Sequence, residues 1–141
     1  MKCLGCSLAN KIAPVNVVYE NHFVCCILDH DPFNEGHVII LPKKHFEDVD
    51  ELDIDTANAI IQAARLISKA VKKLYNPDGI TICQNGGIFN ELSHFHMHVV
   101  PRYEHQSFAN FYSEDPSNNE TIKSKLLDTR VEIVAVINKI I

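Results

Sequence analysis

Several features that commonly identify a protein class are missing from this 141-residue sequence. No apolar run is long enough to span a bilayer, and the N-terminal stretch reaches Asn10 and Lys11 too soon to act as a secretory signal. Internal repeats and low-complexity segments are absent as well. We therefore expect a cytoplasmic protein without a membrane partner. Residues 1–141 should form one domain, because a chain of this length has room for a single core.

Positive charge is scarce, and the cysteines do not fall into pairs. The formal net charge is −5, which argues against nucleic acid as a partner because no broad basic face is expected. The five cysteines are odd in number, and Cys25 and Cys26 are adjacent within an apolar run. This pattern does not fit a disulfide framework. We expect reduced thiols or a metal site, and the C-x-x-C motif of Cys3 and Cys6 could supply half of a tetrahedral zinc site.

Histidine, in contrast, is concentrated in one short stretch. The sequence from Ser93 to Arg102 is SHFHMHVVPR. On a β-strand, successive side chains point to opposite faces, so His94, His96 and His98 are predicted to line one face. Three imidazoles on one face are unusual on a surface selected only for stability. The pattern therefore indicates either a metal site or a histidine nucleophile with supporting histidines.

The apolar patterns predict an antiparallel sheet of about five strands and two helices. The predicted strands are residues 17–20 and 23–28, joined by a two-residue turn, then 37–42, 80–83 and the histidine stretch. Apolar residues at helical spacing predict helices over 55–75 and 120–141. We interpret the acidic segment 47–53 as helix capping and residues 103–119 as a loop.

With His37 and the alternating histidines in view, the sequence resembles the histidine triad family, whose members hydrolyse or transfer nucleotides. The resemblance extends from about Cys3 to Arg102. It implies a nucleotide-binding α+β domain and a homodimer in which the strands of both copies form one antiparallel sheet. A histidine at position 98, where the nucleotidyltransferase branch has glutamine, indicates a hydrolase branch.

The resemblance also assigns roles to the histidines. His96 corresponds to the nucleophile, which attacks an α-phosphorus and carries a nucleotidyl intermediate. His98 can donate to a phosphoryl oxygen or to the leaving group, and His37 corresponds to a fourth active-site histidine. Because imidazoles and backbone amides can position and stabilise a phosphoryl group, no catalytic metal is required.

Further residues correspond to those that bind the nucleotide, which the resemblance implies is a purine nucleotide containing AMP or GMP. Asp29 corresponds to the residue that hydrogen-bonds the ribose hydroxyls, although an aspartate at a strand end also commonly caps a turn. Leu4, Leu8 and Ile27 correspond to apolar positions that pack on the base. Asn85 corresponds to an asparagine that reaches the phosphates, and Asn90 is a further predicted nucleotide-binding residue.

The same resemblance implies a structural zinc ion. Cys3, Cys6, His45 and His94 correspond to the four zinc ligands of a bacterial-type subgroup of the family. They form a Cys₂His₂ set, which suits zinc. On this interpretation His94, the first histidine of the triad, anchors the strand beside the catalytic histidines.

Several departures from the family pattern leave the substrate open. Asn90 stands where a glutamine is usual, Glu91 replaces a Ser or Thr, and the loop 85–94 is about two residues shorter than in better-known members. Gly5 also stands where an aromatic residue often lies, which should weaken stacking on the base. Nucleoside phosphoramidates and dinucleoside polyphosphates both remain candidate substrates.

Two other functional classes remain open from sequence. One is a metal-dependent hydrolase in which His94, His96 and His98 bind a catalytic zinc, although no carboxylate base is obviously tied to them. The other is a nucleotide-binding or interaction protein with residual activity, for which His96→Ala should leave the biological role intact.

Overall fold

The computed structural model describes residues 3–112 and 119–141 and is built on one antiparallel sheet. Five strands lie in the order β1-β2-β3-β5-β4. They are β1 (Val17–Glu20), β2 (Val24–Leu28), β3 (Val38–Pro42), β4 (Gly79–Cys83) and β5 (Met97–Arg102). The α+β class and the strand count predicted from sequence are therefore confirmed. The first turn is one residue longer than predicted, because Asn21 accepts from the amides of both Phe23 and Val24.

Four α-helices accompany the sheet in the part of the chain that is described. They are α1 (Leu4–Ala9), α2 (Ile54–Tyr75), α3 (Glu120–Lys123) and α4 (Leu126–Ile140). The capping prediction is correct, because Asp53 is the N-cap of α2 and its carboxylate accepts from the Thr56 amide at 2.7 Å. Over the same described ranges, no helix is both long and apolar enough to cross a membrane.

The two faces of the sheet bury different apolar clusters. Alternate residues of β2 divide between them, so that Val24 and Cys26 enter the larger cluster, to which α2 and α4 contribute. Cys25 and Ile27 enter a smaller cluster that includes Ala9 of α1. Since this short helix provides much less cover than α2, part of the second face stays free to carry polar side chains.

The predicted helix over 120–141 is wrong as a single element. It is divided between Lys123 and Leu126 into α3 and α4. The Ser124 hydroxyl donates to the Thr121 carbonyl at 2.7 Å, and such local bonds compete with the regular helical pattern. The predicted loop over 103–119 contains a 3₁₀ turn, Phe108–Tyr112, while residues 113–118 lie outside the described part.

The histidine stretch also differs from its predicted form. β5 begins only at Met97, and Ser93 adopts a left-handed backbone conformation with φ of 53°. The three histidines therefore do not line one face of a strand. His96 and His98 remain neighbours, with ring centroids 5.0 Å apart, whereas His94 is completely buried beside α1.

Candidate active site and metal site

A hydrogen-bond chain fixes the protons of the buried His37 and the half-buried His98. The backbone amide of Phe33 donates to Nδ1 of His37 at 3.0 Å, so the proton of a neutral His37 ring is on Nε2. That nitrogen lies 2.9 Å from Nδ1 of His98 and donates to it. The remaining proton of His98 is therefore on Nε2, where it is available to an incoming group.

Burial keeps both rings of this pair neutral. His37 is only 2% exposed, and burial lowers its pKa to about 3. Burial and the neighbouring His96 lower the pKa of His98 to about 4. At neutral pH, His98 is thus a hydrogen-bond donor without positive charge, because the imidazolium form is strongly disfavoured.

The proton of the His96 ring is on the other nitrogen from that of His98. Its Nδ1 lies 2.9 Å from the backbone carbonyl oxygen of His94, so Nδ1 carries the proton and donates. Nε2 is then left with a lone pair, which is what a nucleophilic imidazole needs. The two neighbouring rings therefore offer complementary atoms, a lone pair on His96 and an N–H on His98.

The two carboxylate oxygens of Asp29 have different surroundings. Its Oδ1 accepts from the Asp31 amide at 2.9 Å, as a turn-capping aspartate does. Its Oδ2 faces the histidine pair, 3.4 Å from Nε2 of His37 and 3.8 Å from Nδ1 of His98. Burial raises the pKa of Asp29. The carboxylate oxygen not used by the turn is therefore directed at the site.

The predicted base-packing residues are placed unequally. Ile27 is buried and Leu8 is half-buried in the cluster on the α1 face of the sheet, whereas Leu4 is 58% exposed at the start of α1. Asn85 follows β4 and is half-buried. Cys83, the last residue of β4, pairs directly with His98. Asn85 follows Cys83 by two residues, so it lies just beyond the strand end that is next to His98.

Asn90 is buried and its amide group is used within the loop. Nδ2 donates to the carbonyls of Glu47 at 3.2 Å and His94 at 3.4 Å, and Oδ1 accepts from the Leu92 amide. The bond to His94 reaches the same carbonyl that orients His96. In contrast, the neighbouring Glu91 is exposed.

Four potential metal ligands converge where α1 meets the segment before β5. The donor atoms of Cys3, Cys6, His45 and His94 all lie within 4.8 Å of one another. Cys6 Sγ is 3.3 Å from His45 Nδ1 and 3.5 Å from His94 Nδ1, and Cys3 Sγ is 3.5 Å from His94 Nδ1. A tetrahedral zinc ion separates sulfur and nitrogen ligands by about 3.6 Å. The residue types and the spacing therefore fit zinc.

The environment of His94 suits a metal ligand. Nε2 lies 2.9 Å from the Pro42 carbonyl and donates to it, which leaves Nδ1 unprotonated on the cysteine side. Burial lowers the pKa of His94, so the ring stays neutral. A Cβ atom at Gly5 would lie 2.3 Å from Cβ of His94. Glycine at position 5 thus allows α1 to approach this ring, which is a physical reason for its departure from the family's aromatic residue.

The three histidines of the triad do not converge on one metal position. His94 belongs to the cluster with both cysteines, whereas His98 belongs to a second group with Asp29 and His37. In that second group a metal is disfavoured, because a ligand bond at His37 Nε2 would move the proton to Nδ1, against the amide of Phe33. This geometry does not favour a catalytic zinc held by the three triad histidines.

Two features near the site escaped the sequence analysis. Asn34 and Gln106 exchange reciprocal side-chain amide bonds at 2.7 and 2.9 Å, which fasten the β2–β3 connection to the chain after β5. No local pattern indicates a pair 72 residues apart. The second feature is the aromatic segment Phe108–Tyr112. Its three aromatic residues stand out in a polar stretch of the sequence, which is the feature that could have indicated it.

Comparison with known proteins identifies the family of the chain. The model of the HIT domain matches residues 10–105. An HIT-like protein of Methanocaldococcus jannaschii is 38% identical over 104 residues, which cover 72% of this chain and 80% of the relative. An adenylylsulfatase of Arabidopsis thaliana is 31% identical over 72% of this chain and 53% of the relative.

A solved structure resembles the chain over nearly its whole length. It is a zinc-bound histidine triad family protein from Mycobacterium smegmatis, with a TM-score of 0.80 and 26% identity, covering 99% of this chain and 96% of that one. The region matched by the family model contains His37 and the whole triad. The chain belongs to the HIT domain family.

Proposed function

We propose that this protein hydrolyses nucleotides at the α-phosphorus through a nucleotidyl intermediate on His96. The substrates are nucleoside phosphoramidates or dinucleoside polyphosphates containing a purine nucleotide. The observation that carries the proposal is the bond from His96 Nδ1 to the His94 carbonyl, because it leaves the Nε2 lone pair free to attack. The name of the Arabidopsis relative, an adenylylsulfatase, supports an adenylyl-type substrate.

The first step forms a bond between His96 Nε2 and the α-phosphorus. The bond from phosphorus to the leaving nitrogen or oxygen breaks, and its electron pair departs with the leaving group. Nε2–H of His98 stabilises that atom by a hydrogen bond; a polyphosphate leaves as an anion, and an amine takes up a proton from solvent. Water then attacks phosphorus, the electron pair of the P–N bond returns to His96, and the water proton passes to solvent.

The nucleotide would lie on the α1 face of the sheet. Asp29 is the proposed partner of the ribose hydroxyls, and Leu4, Leu8 and Ile27 form the proposed apolar side for the base. Asn85 is the proposed contact to the phosphates. Asn90 is predicted from sequence to bind the nucleotide, but its side-chain amide bonds the His94 carbonyl, and we propose that it supports the orientation of His96.

We also propose that Cys3, Cys6, His45 and His94 bind a structural zinc ion. The zinc-bound relative from Mycobacterium smegmatis supports this assignment, as does the spacing of the donor atoms. When bound, zinc would hold α1 against the chain segment that precedes His96.

Dimerisation stays a prediction. β4 is an edge strand, and its Ile82 side chain is 49% exposed. Edge strands offer backbone hydrogen-bonding groups to a second chain, so a continuous sheet through two copies would begin here.

Covalent trapping tests the proposed nucleophile. Incubation with an adenosine phosphoramidate labelled at phosphorus, followed by an alkaline quench and peptide mapping, should place the label on His96. His96→Ala should lower kcat on the order of 10³-fold or more and abolish labelling. The matched control is His22→Ala, an exposed histidine in the β1–β2 turn. Label absent from wild-type protein that turns over the substrate would contradict a covalent mechanism.

Gly5→Ala tests whether the close approach of α1 builds the metal site. Alanine favours a helix over glycine by about 1 kcal/mol, so intrinsic propensity alone predicts a gain in stability. Because the added methyl group collides with His94, we expect a zinc affinity at least about 10-fold lower although all four ligands remain. Affinity is measured by competition with a chelator, and Ser7→Ala in the same helix is the control. Unchanged zinc affinity would exclude this role for Gly5.

The neutral state of His37 predicts a pH dependence of stability. Its folded-state pKa of about 3 lies below the unfolded value of about 6.5. The stability from this ring is therefore complete above about pH 6.5 and is lost as the pH falls toward 3, with a limiting slope of about 1.4 kcal/mol per pH unit.

Urea unfolding at pH 7 and pH 5 measures this effect. Wild-type protein should lose up to about 2 kcal/mol more free energy of unfolding than His37→Gln over this interval, because glutamine does not titrate. His22→Gln should behave as wild type. Equal losses in wild type and His37→Gln would mean that His37 is not held neutral.

A further inference from the structure

The aromatic segment Phe108–Tyr112 lies directly on the histidine pair. The ring of Phe111 meets the ring of His98 edge to face, with centroids 5.2 Å apart and an interplanar angle of 88°. Phe111 also lies 5.8 Å from the ring of His37. The family model ends at residue 105, so this contact is made by a part of the chain outside the matched region.

Other rings hold Phe111 in this position. Phe108 stacks on it, with centroids 4.7 Å apart and planes 15° apart, and Phe33 approaches both rings at 5.5 and 5.9 Å. The Arg102 guanidinium lies 4.4 Å from the centre of the Phe108 ring and donates to Thr81 Oγ1 at 2.7 Å. The aromatic cluster is thus fastened to β4 and β5, and through Phe33 to the backbone amide that orients His37.

The orientation of the His98 ring determines whether the site works. Nδ1 must face His37 to accept a proton, and Nε2–H must face the substrate. A half-turn of the ring about χ2 would replace both nitrogens by carbon atoms in these positions. The half-turn must carry the imidazole out of its present plane, and the edge-to-face contact with Phe111 opposes that movement.

We propose that Phe111 is a positioning residue that holds the His98 ring in its working orientation and excludes water from the His37–His98 pair. This role rests on the hydrolytic function proposed above. Phe111 contributes no charge. The titratable groups that face His98 are His37 just before β3, His96 on its own segment, Asp29 from the β2–β3 connection and Cys83 from β4.

Removing the ring should therefore change both the geometry and the hydration of His98. In Phe111→Ala, the ring can rotate and water can reach it, so its pKa should rise toward the ordinary histidine value. We expect kcat for an adenosine phosphoramidate to fall about tenfold with KM within about twofold of wild type, because positioning acts on the chemical step.

Nitrogen-15 NMR of the histidine rings provides a readout that needs no substrate. Wild-type His98 should show one tautomer, with the proton on Nε2. Phe111→Ala should show mixed tautomers and a titration midpoint for His98 about one pH unit higher. The control is Phe23→Ala, which removes the same ring from the β1–β2 turn and should leave kcat and the His98 signals unchanged.

Wild-type values of kcat, tautomer and titration midpoint in Phe111→Ala would overturn the proposal. If the alanine variant does not fold, Phe111→Leu decides by the same measurements, since it keeps the bulk and loses the aromatic edge. A mixed tautomer in Phe111→Leu supports the role of the ring, and a single wild-type tautomer contradicts it. Failure of the wild-type protein to hydrolyse nucleotides would reject the proposed function and would leave the NMR result to decide the positioning role.

Discussion

The backbone carbonyl of His94 determines which nitrogen of His96 keeps a free lone pair. It accepts from His96 Nδ1 at 2.9 Å and from the Asn90 side-chain amide at 3.4 Å, so its position fixes the orientation of the His96 ring. The His94 side chain is itself fixed by Pro42 on one side and by the cysteines of α1 on the other. The proposed zinc site and the proposed nucleophile are therefore coupled through one buried residue.

The remaining chemistry depends on keeping imidazoles neutral in a confined space. Desolvation disfavours the charged form of His37 and His98, and the amide of Phe33 selects the tautomer of the pair. The outcome is a donor at His98 Nε2 beside a lone pair at His96 Nε2. The sheet makes this possible because its α2 face provides the main core, while its α1 face is only partly covered.

Much of this arrangement could be predicted from sequence. Apolar patterns locate the first four strands to within a residue, and the helical stripe and acidic cap locate α2. The Cys₂His₂ set and the histidine roles followed only from the family resemblance, since spacing cannot bring Cys3 next to His94. Strand alternation failed at His94 because Ser93 turns the chain before β5 begins. The aromatic segment could not be placed, since its contacts depend on tertiary packing that no local period encodes.

The central claim is that His96 carries its proton on Nδ1 and presents Nε2 as the nucleophile. Nitrogen-15 NMR of the histidine side chains in the wild-type protein, recorded at alkaline pH, tests it directly. The account predicts that the His96 Nδ1 resonance has the shift of a protonated nitrogen and the Nε2 resonance that of an unprotonated one. A proton on Nε2 of His96 would contradict the account, because the lone pair would then face the His94 carbonyl and no nucleophile would face the substrate.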